Sequence, residues 1–536
     1  MTIQATTKRS REARATDVGA AARYLYPALA GVCIFLAVEP FRLWPLLFAL
    51  PWLLHPLRRA TLKQKLLGYW LMAVVTNLGG YFWITHVAQD FGGLPLYLAL
   101  GVLLLFSAFN NLNFVVWAYL ERFFGERVNP FVTAVLFVVT EQAYPQVFPW
   151  YLGTTLDAVP VLYQSADVWG VIGLSFLTLT VVYAPYWFWH RRNEVWTRHR
   201  TLLFAQVGLW LAVLAYGSVT LRKYSNEPGP GKKSVGITLV QSNTTLEKFY
   251  GATLSRAERL QEFHEIVNLT RQAIAAHPGK TDLVVWPEGA VHFPILNTPE
   301  VFETISTLAR EHGVYLTAGS VELGGRHPSG RRIYYNTQFV LDPNGEIVGK
   351  YRKIVLLAFG EYIPLVDTFP FLEKWLPQTI SHFTRGTEKP VFELGEDVRW
   401  LPLICYEDII SGFIHGFPHR QADFMVNITN DGWFGKTPAS HLHKQMARPR
   451  SVEFRKPLVR ALNTGSSQVI DAAGRIISKQ TELYVRDYIN LTLHLPPEPP
   501  LTVYAVVGNW PIYILMALVA LLWLKKRLFP QYHGFL

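Results

Sequence analysis

Cysteine is almost absent from this chain of 536 residues, which contains only Cys33 and Cys405. The two lie far apart, and Cys33 sits in an apolar run, so they indicate no disulfide framework and leave the redox compartment open. Charge is also scarce, because Asp, Glu, Lys and Arg make up 17% of the chain, whereas a soluble domain carries about a quarter. Half of the residues are hydrophobic and the mean hydropathy is +0.17. This composition predicts a membrane protein with a sizeable polar part.

Seven apolar runs, close to the length of about 20 residues that crosses a bilayer, precede a long polar stretch. They occupy 22–39, 43–57, 66–88, 94–120, 130–148, 168–190 and 202–221. The second run is short and interrupted by prolines. After the polar stretch comes an eighth run, NWPIYILMALVALLWL, at 509–524. The pattern predicts a multi-pass α-helical membrane domain, with about eight transmembrane helices in all, and one large domain outside the bilayer.

Lysine and arginine are missing from two links between these runs, 89–93 and 149–167, and the first link has only Arg42. Basic residues instead gather in the N-terminal tail, after the second, fourth and sixth runs, and at the C-terminus. By the positive-inside rule, both termini are cytoplasmic and the polar domain lies on the other face. Much of the net charge of +11 therefore reflects the orientation of the chain in the membrane. The lack of a basic stripe excludes a nucleic-acid partner.

These patterns divide the chain into five parts. We expect a cytoplasmic tail, a membrane domain with seven transmembrane helices, an extracytoplasmic domain, a C-terminal transmembrane helix and a second cytoplasmic tail, at 1–21, 22–222, 225–500, 505–526 and 527–536. The first apolar run lacks a small-residue cleavage site and follows a long basic tail. It is therefore interpreted as an uncleaved anchor rather than a signal peptide.

The polar domain alternates strand-like and helix-like segments. Seven segments rich in Val, Ile and aromatic residues, with turn residues at their ends, are predicted as strands: KSVGITLVQSN, TDLVVWPEG, GVYLTAGSV, YNTQFVLDPNG, VRWLPLICYE, ADFMVNITND and PLVRALNTGSSQVIDAAGR. Two segments have apolar residues at helical spacing, RAERLQEFHEIVNLTRQAIAAH and TPEVFETISTLAREHG. Strand–helix alternation, followed by hairpin-like DPNG and DAAGR turns, predicts a layered α/β domain.

Three places in this domain, interpreted as strand ends, carry chemically useful side chains, and the second of them is the segment GKYRKIVLLAFGEYIP. Glu288 comes after DLVVWP, Lys353 precedes Glu361 by eight residues, and Cys405 ends RWLPLI. In α/β sheets, functional side chains gather just beyond strand ends. A cation favours the reactive thiolate, a carboxylate can take and return the thiol proton, and an ammonium can hold an oxyanion. The set suffices for covalent acyl transfer, although each residue alone also fits a packed cysteine or a solvated charge.

The motifs WPEGA, RK…FGEYIP and LICYE, in this order, resemble the Glu–Lys–Cys triad of the carbon–nitrogen hydrolase (nitrilase) superfamily. With seven spans before the polar domain and one after it, the chain resembles the bacterial apolipoprotein N-acyltransferase family. Further motifs occur in the same order along the chain: EPFRLWP, FGGLP, TEQ, FPW, GLSFL, VQSN, NDGWFG and RALNTG. The resemblance implies an α-β-β-α sandwich for the nitrilase-like domain.

The resemblance also assigns roles. It implies Glu288 as the base, Lys353 as the oxyanion stabiliser and Cys405 as the nucleophile. Three residues support them: Glu361 near the lysine, and Tyr406 and Glu407 after the cysteine, where a backbone N–H would help to hold the oxyanion. The family moves an acyl chain from the sn-1 position of a phospholipid, typically phosphatidylethanolamine, to the α-amine of a diacylglyceryl-cysteine that begins an apolipoprotein. A ping-pong path through a thioester is implied.

The same resemblance implies a multi-pass protein of the bacterial inner membrane, active as a monomer, with its catalytic domain in the periplasm. No cofactor and no metal are expected. Because both substrates are lipids, the thiol should lie close to the outer leaflet. The apolar segment 367–383 is then either a lid or wall where lipids enter, or an ordinary packed insertion.

The chain departs from the family pattern at three places. In the family, a His-Leu-Val-Pro-like run usually follows the lysine, whereas here Lys353 begins the segment KIVLLAFGE. Phe249 stands where a tryptophan is expected, and Gly289 stands where threonine is common. In the motif HLHK, two histidines suggest a metal pair, but packing or hydrogen bonding is favoured because no further ligand stands at metal spacing.

Three other functions are open to such a chain. A membrane-anchored amidase or nitrilase-type hydrolase would use the same triad on water, but it does not need an eight-span frame. A non-catalytic partner scaffold would not need an intact triad. A transporter should show inverted repeats and broken helices, and the sequence shows no such symmetry.

Overall fold

The computed structural model describes residues 23–125, 129–244, 254–326, 332–358, 360–362 and 383–528. Phe249 and the segment 367–383, apart from Phe383, lie outside the described residues. The chain divides into two compact units. The first comprises Met1–Thr85, Leu96–Ser218 and Val507–Leu536, and the second comprises His86–Pro95 and Val219–Val506.

Apolar helices build the first unit. Their bounds are Arg23–Ala37, Leu62–Gly80, Leu96–Phe109, Asn113–Phe124, Pro130–Ala143, Ala166–His190, Arg200–Lys223 and Trp510–Leu528. Within the described part of the chain, three helical stretches are long and apolar enough to cross a membrane: Leu96–Phe124, Ala166–His190 and Arg200–Lys223. The pair Leu62–Gly80 and Ile84–Asp90, bent by 58°, adds a fourth if it is one span. The membrane character is confirmed, whereas the number of eight spans is not.

Local sequence explains where two of these helices begin. The Thr61 hydroxyl accepts the backbone N–H of Gln64, and the Gln64 side chain accepts the backbone N–H of Thr61, which is a capping box. Asn129 accepts the N–H of Val132 at 3.0 Å, and Pro130 occupies the first helical position, where its missing N–H costs nothing.

The second predicted span, 43–57, is not one helix, and that prediction was wrong. The chain forms a 3₁₀ turn at Trp44–Ala49, a single helical turn at Leu50–Leu53 and another 3₁₀ turn at His55–Arg59. A proline stands at the first or second position of each piece. Proline starts a helix well but cannot donate within one, so three prolines in twelve residues restart the backbone each time.

Two β-sheets organise the described part of the second unit. The strands are β1 Lys233–Gln241, β2 Leu283–Val285, β3 Tyr315–Arg326, β4 Arg332–Leu341, β5 Ile347–Arg352, β6 Phe392–Leu394, β7 Val398–Ile404, β8 Phe424–Thr429, β9 Leu458–Leu462, β10 Gln468–Ile470 and β11 Asp487–Leu495. One sheet has the order β11-β1-β2-β3-β4-β5 and the other β10-β9-β8-β7-β6. Strands β1, β2 and β3 are parallel, as are β7, β8 and β9.

Two amphipathic helices connect the parallel strands of the first sheet. Helix Arg256–Ala275 joins β1 to β2, and helix Pro299–His312 joins β2 to β3. Their apolar residues share one buried core with the sheet, and the Trp286 indole N–H in this core donates to the Thr270 hydroxyl at 2.9 Å. Both helices were predicted from their periodicity, and this layered α/β arrangement confirms the predicted fold class of the domain.

The seven predicted strand segments overlap β1, β2, β3, β4, β7, β8 and the β9–β10 hairpin. Strands β5, β6 and β11 were not predicted. β6 has only three residues, and β5 and β11 mix buried with half-exposed positions, so neither shows the continuous apolar run of the central strands. β11 lies at one end of the first sheet and pairs antiparallel with β1.

Gly236 in β1 is required by a close approach of two backbone segments. A Cβ at this position would lie 1.4 Å from the carbonyl oxygen of Lys280. The approach is fixed because the Gly236 N–H donates to Asp282 Oδ2 at 2.7 Å and the Asp282 N–H donates to the Gly236 carbonyl at 2.8 Å.

We predict that Gly236→Ala lowers the free energy of unfolding of the second unit by about 3 kcal/mol, since backbone must move to admit a methyl group. Denaturant unfolding of the detergent-solubilised protein, followed by tryptophan fluorescence, measures this. Gly229→Ala is the matched control, because its nearest neighbours are Lys232 side-chain carbons at 3.7 and 3.8 Å. Equal midpoints for the two variants would contradict the prediction.

Candidate active site

Cys405 begins a 3₁₀ turn, Cys405–Ile409, directly after β7. Its φ of +53° lies in the left-handed region, which costs a residue other than glycine about 1–3 kcal/mol. Hydrogen bonds around the turn hold this conformation: Asn427 donates to the Cys405 carbonyl at 3.2 Å, and Glu407 accepts the Ile404 N–H at 2.9 Å. The cysteine side chain is buried, with the residue 5% exposed. A strained, enclosed turn at a strand end presents the thiol in one orientation.

Glu288 lies three residues beyond the end of β2, and its backbone is closely packed. A Cβ on Gly319 of β3 would stand 2.7 Å from the Glu288 Cα, so only glycine fits beside it. Its carboxylate receives donors on both oxygens. Oε1 accepts from Asn336 at 2.6 Å and from the Lys353 ammonium at 3.2 Å, and Oε2 accepts the Asn430 N–H at 2.8 Å.

Lys353 directly follows β5, and its ammonium bridges two carboxylates. Nζ lies 3.2 Å from Glu288 Oε1 and 2.8 Å from Glu361 Oε2. The Asn336 amide closes the ring, because it donates to Glu288 at 2.6 Å and to Glu361 at 2.8 Å. All four residues are buried. The predicted association of Glu361 with the lysine is therefore present in the structure.

The electrostatics of the three triad residues follow from burial and from their mutual charges. Burial raises the pKa of the Cys405 thiol well above its usual range, Glu288 raises it further, and Lys353 lowers it. Burial also raises the pKa of Glu288, partly offset by Lys353. Burial alone would lower the pKa of Lys353, but Glu288 and Glu361 raise it well above its usual range. Burial and the neighbouring carboxylates thus disfavour the thiolate of Cys405, whereas the same carboxylates favour the charged form of Lys353.

Glu407 joins the cysteine turn to the segment after Lys353. It is fully buried, and its carboxylate accepts the N–H groups of Ile354 at 2.7 Å and Val355 at 3.0 Å, besides that of Ile404. The Tyr351 hydroxyl adds a fourth donor at 2.8 Å. Burial raises the pKa of Glu407 to about 7, although its backbone donors lower it. Its side chain orders the backbone on both sides of the site.

Tyr406 was expected to contribute mainly through its backbone N–H. Its side chain is largely enclosed, and burial followed by the neighbouring Tyr362 raises the pKa of its hydroxyl. Burial thus disfavours the ionised form of the Tyr406 phenol. The structure places Tyr406 in the same turn as Cys405.

Three asparagines complete the site and were missed as functional residues. Asn336 lies in β4, Asn430 follows β8 and Asn463 follows β9. Asn463 accepts the Ser242 hydroxyl at 2.7 Å and the Thr244 N–H at 2.6 Å, and donates to the Glu288 carbonyl at 3.4 Å. Two of them stand inside NDGWFG and RALNTG, so the rule that functional polar groups gather at strand ends would have found them.

The motif HLHK does not form a metal pair. His443 hydrogen-bonds through Nδ1 to Asp431 Oδ1 at 2.9 Å and through Nε2 to Asp408 Oδ1 at 3.1 Å. The interpretation of this histidine as a hydrogen-bonding residue is confirmed. In the described ranges, no cluster of three or more His, Cys, Asp or Glu side chains is arranged to hold a metal ion.

Two family models match the chain. The carbon-nitrogen hydrolase model covers residues 237–484, and the apolipoprotein N-acyltransferase N-terminal domain model covers residues 30–184. Among solved structures, an amidase from Nesterenkonia sp. is similar, with 18% identity and a TM-score of 0.36 over 52% of this chain and 95% of the amidase.

Curated relatives match over almost their whole length. Apolipoprotein N-acyltransferase of Bdellovibrio bacteriovorus is 31% identical, over 93% of each chain. The protein of the same name from Geobacter metallireducens is 32% identical, over 96% of this chain and 98% of its own. Since identity above 30% extends through both the membrane part and the hydrolase-like part, the chain belongs to the apolipoprotein N-acyltransferase family, the membrane-bound acyltransferases of the carbon–nitrogen hydrolase superfamily.

Proposed function

We propose that the chain is a phospholipid:apolipoprotein N-acyltransferase that works by a ping-pong mechanism through a thioester on Cys405. The observation that carries this proposal is the buried Lys353 ammonium, which bridges Glu288 and Glu361 and acts electrostatically on the Cys405 thiol. Family membership supports an acyltransferase that takes a lipid donor and a lipoprotein acceptor. The residue roles, the donor and the order of steps are our proposal.

In the first half-reaction, the Cys405 sulfur attacks the ester carbonyl of the phospholipid while Glu288 takes the thiol proton. Attack and proton transfer are coupled, because the raised pKa of the thiol leaves little free thiolate at neutral pH. The Lys353 ammonium stabilises the oxyanion of the tetrahedral intermediate, helped by a backbone N–H of the cysteine turn. Collapse of the intermediate breaks the ester bond. Glu288 returns its proton to the departing lysophospholipid oxygen, and the acyl chain remains on sulfur.

In the second half-reaction, the α-amine of the diacylglyceryl-cysteine attacks the thioester carbonyl. Glu288 takes a proton from the attacking amine, and Lys353 again holds the oxyanion. The carbon–sulfur bond then breaks, the amide forms, and the proton on Glu288 returns to the Cys405 sulfur. Every proton and bond is accounted for without a cofactor.

Enclosure of the cysteine favours transfer over hydrolysis. Cys405 is 5% exposed and Lys353 is 2% exposed, so bulk water has little access to a thioester at this turn. A soluble-substrate amidase needs no apolar helices, whereas a phospholipid donor has to be taken from the bilayer in which those helices lie. These observations favour an amine acceptor and a lipid donor over the alternative of a membrane-anchored hydrolase.

The remaining details of the proposal rest on the sequence. The donor is phosphatidylethanolamine, the protein acts as a monomer, and the catalytic domain at 225–500 lies in the periplasm between spans at 22–222 and 505–526. Both tails, 1–21 and 527–536, are cytoplasmic, as the distribution of basic residues indicates. The spans number eight, the second of them a broken span rather than one helix.

Asn336 is assigned a positioning role. Its amide nitrogen gives one hydrogen to each carboxylate at 2.6 and 2.8 Å, which keeps Glu288 and Glu361 apart and both directed at Lys353. Without this donor, the two carboxylates would lose the group that fixes their orientation, and the pKa of Glu288, which the Asn336 hydrogen bond lowers, would rise.

The first prediction concerns the thioester on Cys405. Intact-protein mass spectrometry of the purified chain, after incubation with phosphatidylethanolamine vesicles, should show one added fatty-acyl mass that neutral hydroxylamine releases. The adduct should be lost in Cys405→Ala and kept in Cys33→Ala, which removes the other thiol. When a peptide that begins with diacylglyceryl-cysteine is added, the fatty-acyl group should be transferred to its α-amine and appear there as an amide. An adduct that persists in Cys405→Ala would refute the nucleophile, and free fatty acid as the sole product would favour the hydrolase.

The second prediction concerns the Lys353 ammonium. Lys353→Met should slow adduct formation by about 10²–10³-fold, because a preorganised oxyanion donor is lost. The matched control is Lys350→Met in β5, three residues before Lys353, where the ammonium is partly exposed and pairs with Glu322 at 2.8 Å. Single-turnover acylation measures both rates. Equal rates in the two variants would exclude the role given to Lys353.

The third prediction concerns the Asn336 amide that bridges the two carboxylates. Asn336→Asp replaces a shared donor with a third carboxylate, and we expect acyl transfer to fall about 100-fold or more. Asn344→Asp, in the exposed turn after β4, makes the same chemical change away from the site and should leave the rate within about twofold. Retention of near-normal activity in Asn336→Asp would show that the bridge is dispensable.

A further inference from the structure

His443 is held between two buried aspartates outside the Glu288–Lys353–Cys405 triad. It lies in helix Ala439–Ala447 and is 4% exposed. Nδ1 faces Asp431 Oδ1 at 2.9 Å, and Nε2 faces Asp408 Oδ1 at 3.1 Å. Ionised carboxylates only accept hydrogen bonds, so both ring nitrogens must carry hydrogen. The geometry therefore requires an imidazolium.

Each aspartate belongs to a turn that builds the active site. Asp408 lies in the turn that Cys405 begins, and the Asn427 amide donates to both Asp408 and the Cys405 carbonyl. Asp431 follows Asn430, whose N–H donates to Glu288 Oε2 at 2.8 Å. His443 thus connects the turn of the nucleophile with the turn that supports the base.

The charges around His443 balance. Asp408 and Asp431 contribute two negative charges, which His443 and Arg460 of β9 offset, since Arg460 Nε lies 2.9 Å from Asp408 Oδ2. Among the groups whose charges act on Cys405, Asp431 is one that raises the pKa of the thiol. If the imidazolium were missing, one buried negative charge next to the cysteine turn would be left uncompensated.

We propose that His443 is a positioning residue for acyl transfer: its imidazolium fixes the turns of Cys405 and Asn430 and cancels the charge of Asp431 next to the thiol. The inference rests on the proposed role of Cys405. Burial alone would lower the pKa of His443, but Asp431 and Asp408 raise it to about 9, whereas Arg460 opposes them. Among the described residues, Asp431, Asp408 and Arg460 are the charged groups with the largest effects on this pKa, and their balance keeps the cation at neutral pH.

The experiment measures the thiol directly and needs no acyl donor. The full chain in detergent is treated with iodoacetamide from pH 6 to pH 10, and alkylation of the Cys405 peptide is followed by mass spectrometry. In His443→Gln, which keeps hydrogen-bonding capacity without the charge, the pKa of Cys405 should rise by at least about one unit, so the alkylation rate at each pH in this range should fall about tenfold. His441→Gln, two residues away, should match the wild type.

A second substitution separates charge from structure. Asp431→Asn removes the charge that His443 cancels, so adding it to His443→Gln should recover at least half of the lost alkylation rate. Asp431→Asn alone should lower the apparent pKa of Cys405, which keeps the inference testable if His443→Gln does not fold. An unchanged thiol pKa in both single variants would overturn the proposal. Acyl transfer that survives Cys405→Ala would refute the proposed function but not the alkylation result.

Discussion

The buried contact between the Lys353 ammonium and the carboxylates of Glu288 and Glu361 is the interaction on which the site depends. An ion transferred out of water costs several kcal/mol unless partners and hydrogen bonds replace its hydration. Here each charge is satisfied: Lys353 has two carboxylates, and Asn336, Asn430 and the Leu357 N–H supply the remaining donors. Removing Lys353 would leave two buried carboxylates without a cation, and removing Asn336 would take a shared hydrogen-bond donor from both. The cluster is therefore stable only when all the strand ends that carry it are in place.

Sheet topology explains how residues so distant in sequence reach this cluster. β2 is parallel to β3, and two antiparallel pairings, β3–β4 and β4–β5, give β5 the same direction as β2. Glu288 and Lys353 consequently leave the first sheet at the same edge. In the second sheet, β7, β8 and β9 are parallel, so Cys405, Asn430 and Asn463 also leave at one edge. The Asn430–Glu288 hydrogen bond joins the two edges, and side chains from both sheets form one site.

How far the sequence predicts this protein depends on the range of the interactions involved. Glu288 and Cys405 were found because each follows a recognisable apolar strand, and the two amphipathic helices show their period locally. Lys353 was found through the motif RK…FGEYIP, since the strand before it, β5, has no continuous apolar run. Asn336 was not found, since its role exists only where β4 brings it between two carboxylates 48 and 25 residues away. The segment 43–57 was misjudged because hydropathy counts apolar residues and ignores three prolines. The charge balance around His443 was not predicted either, because Asp408 and Asp431 lie in turns that follow two different strands, β7 and β8.

Burial of Cys405 imposes opposing demands on its chemistry. Enclosure raises the pKa of the thiol and so disfavours the nucleophilic thiolate, yet the same enclosure protects a thioester from water. A cysteine that is already ionised before the substrate binds would need a strongly positive pocket. Here the two carboxylates around Lys353 leave the cluster net negative. In the proposed mechanism, the proton instead moves to Glu288 as the carbon–sulfur bond forms. A site of this kind would react slowly with any molecule that does not place its carbonyl against Lys353, and this suits the proposed thioester, which has to persist until an amine arrives.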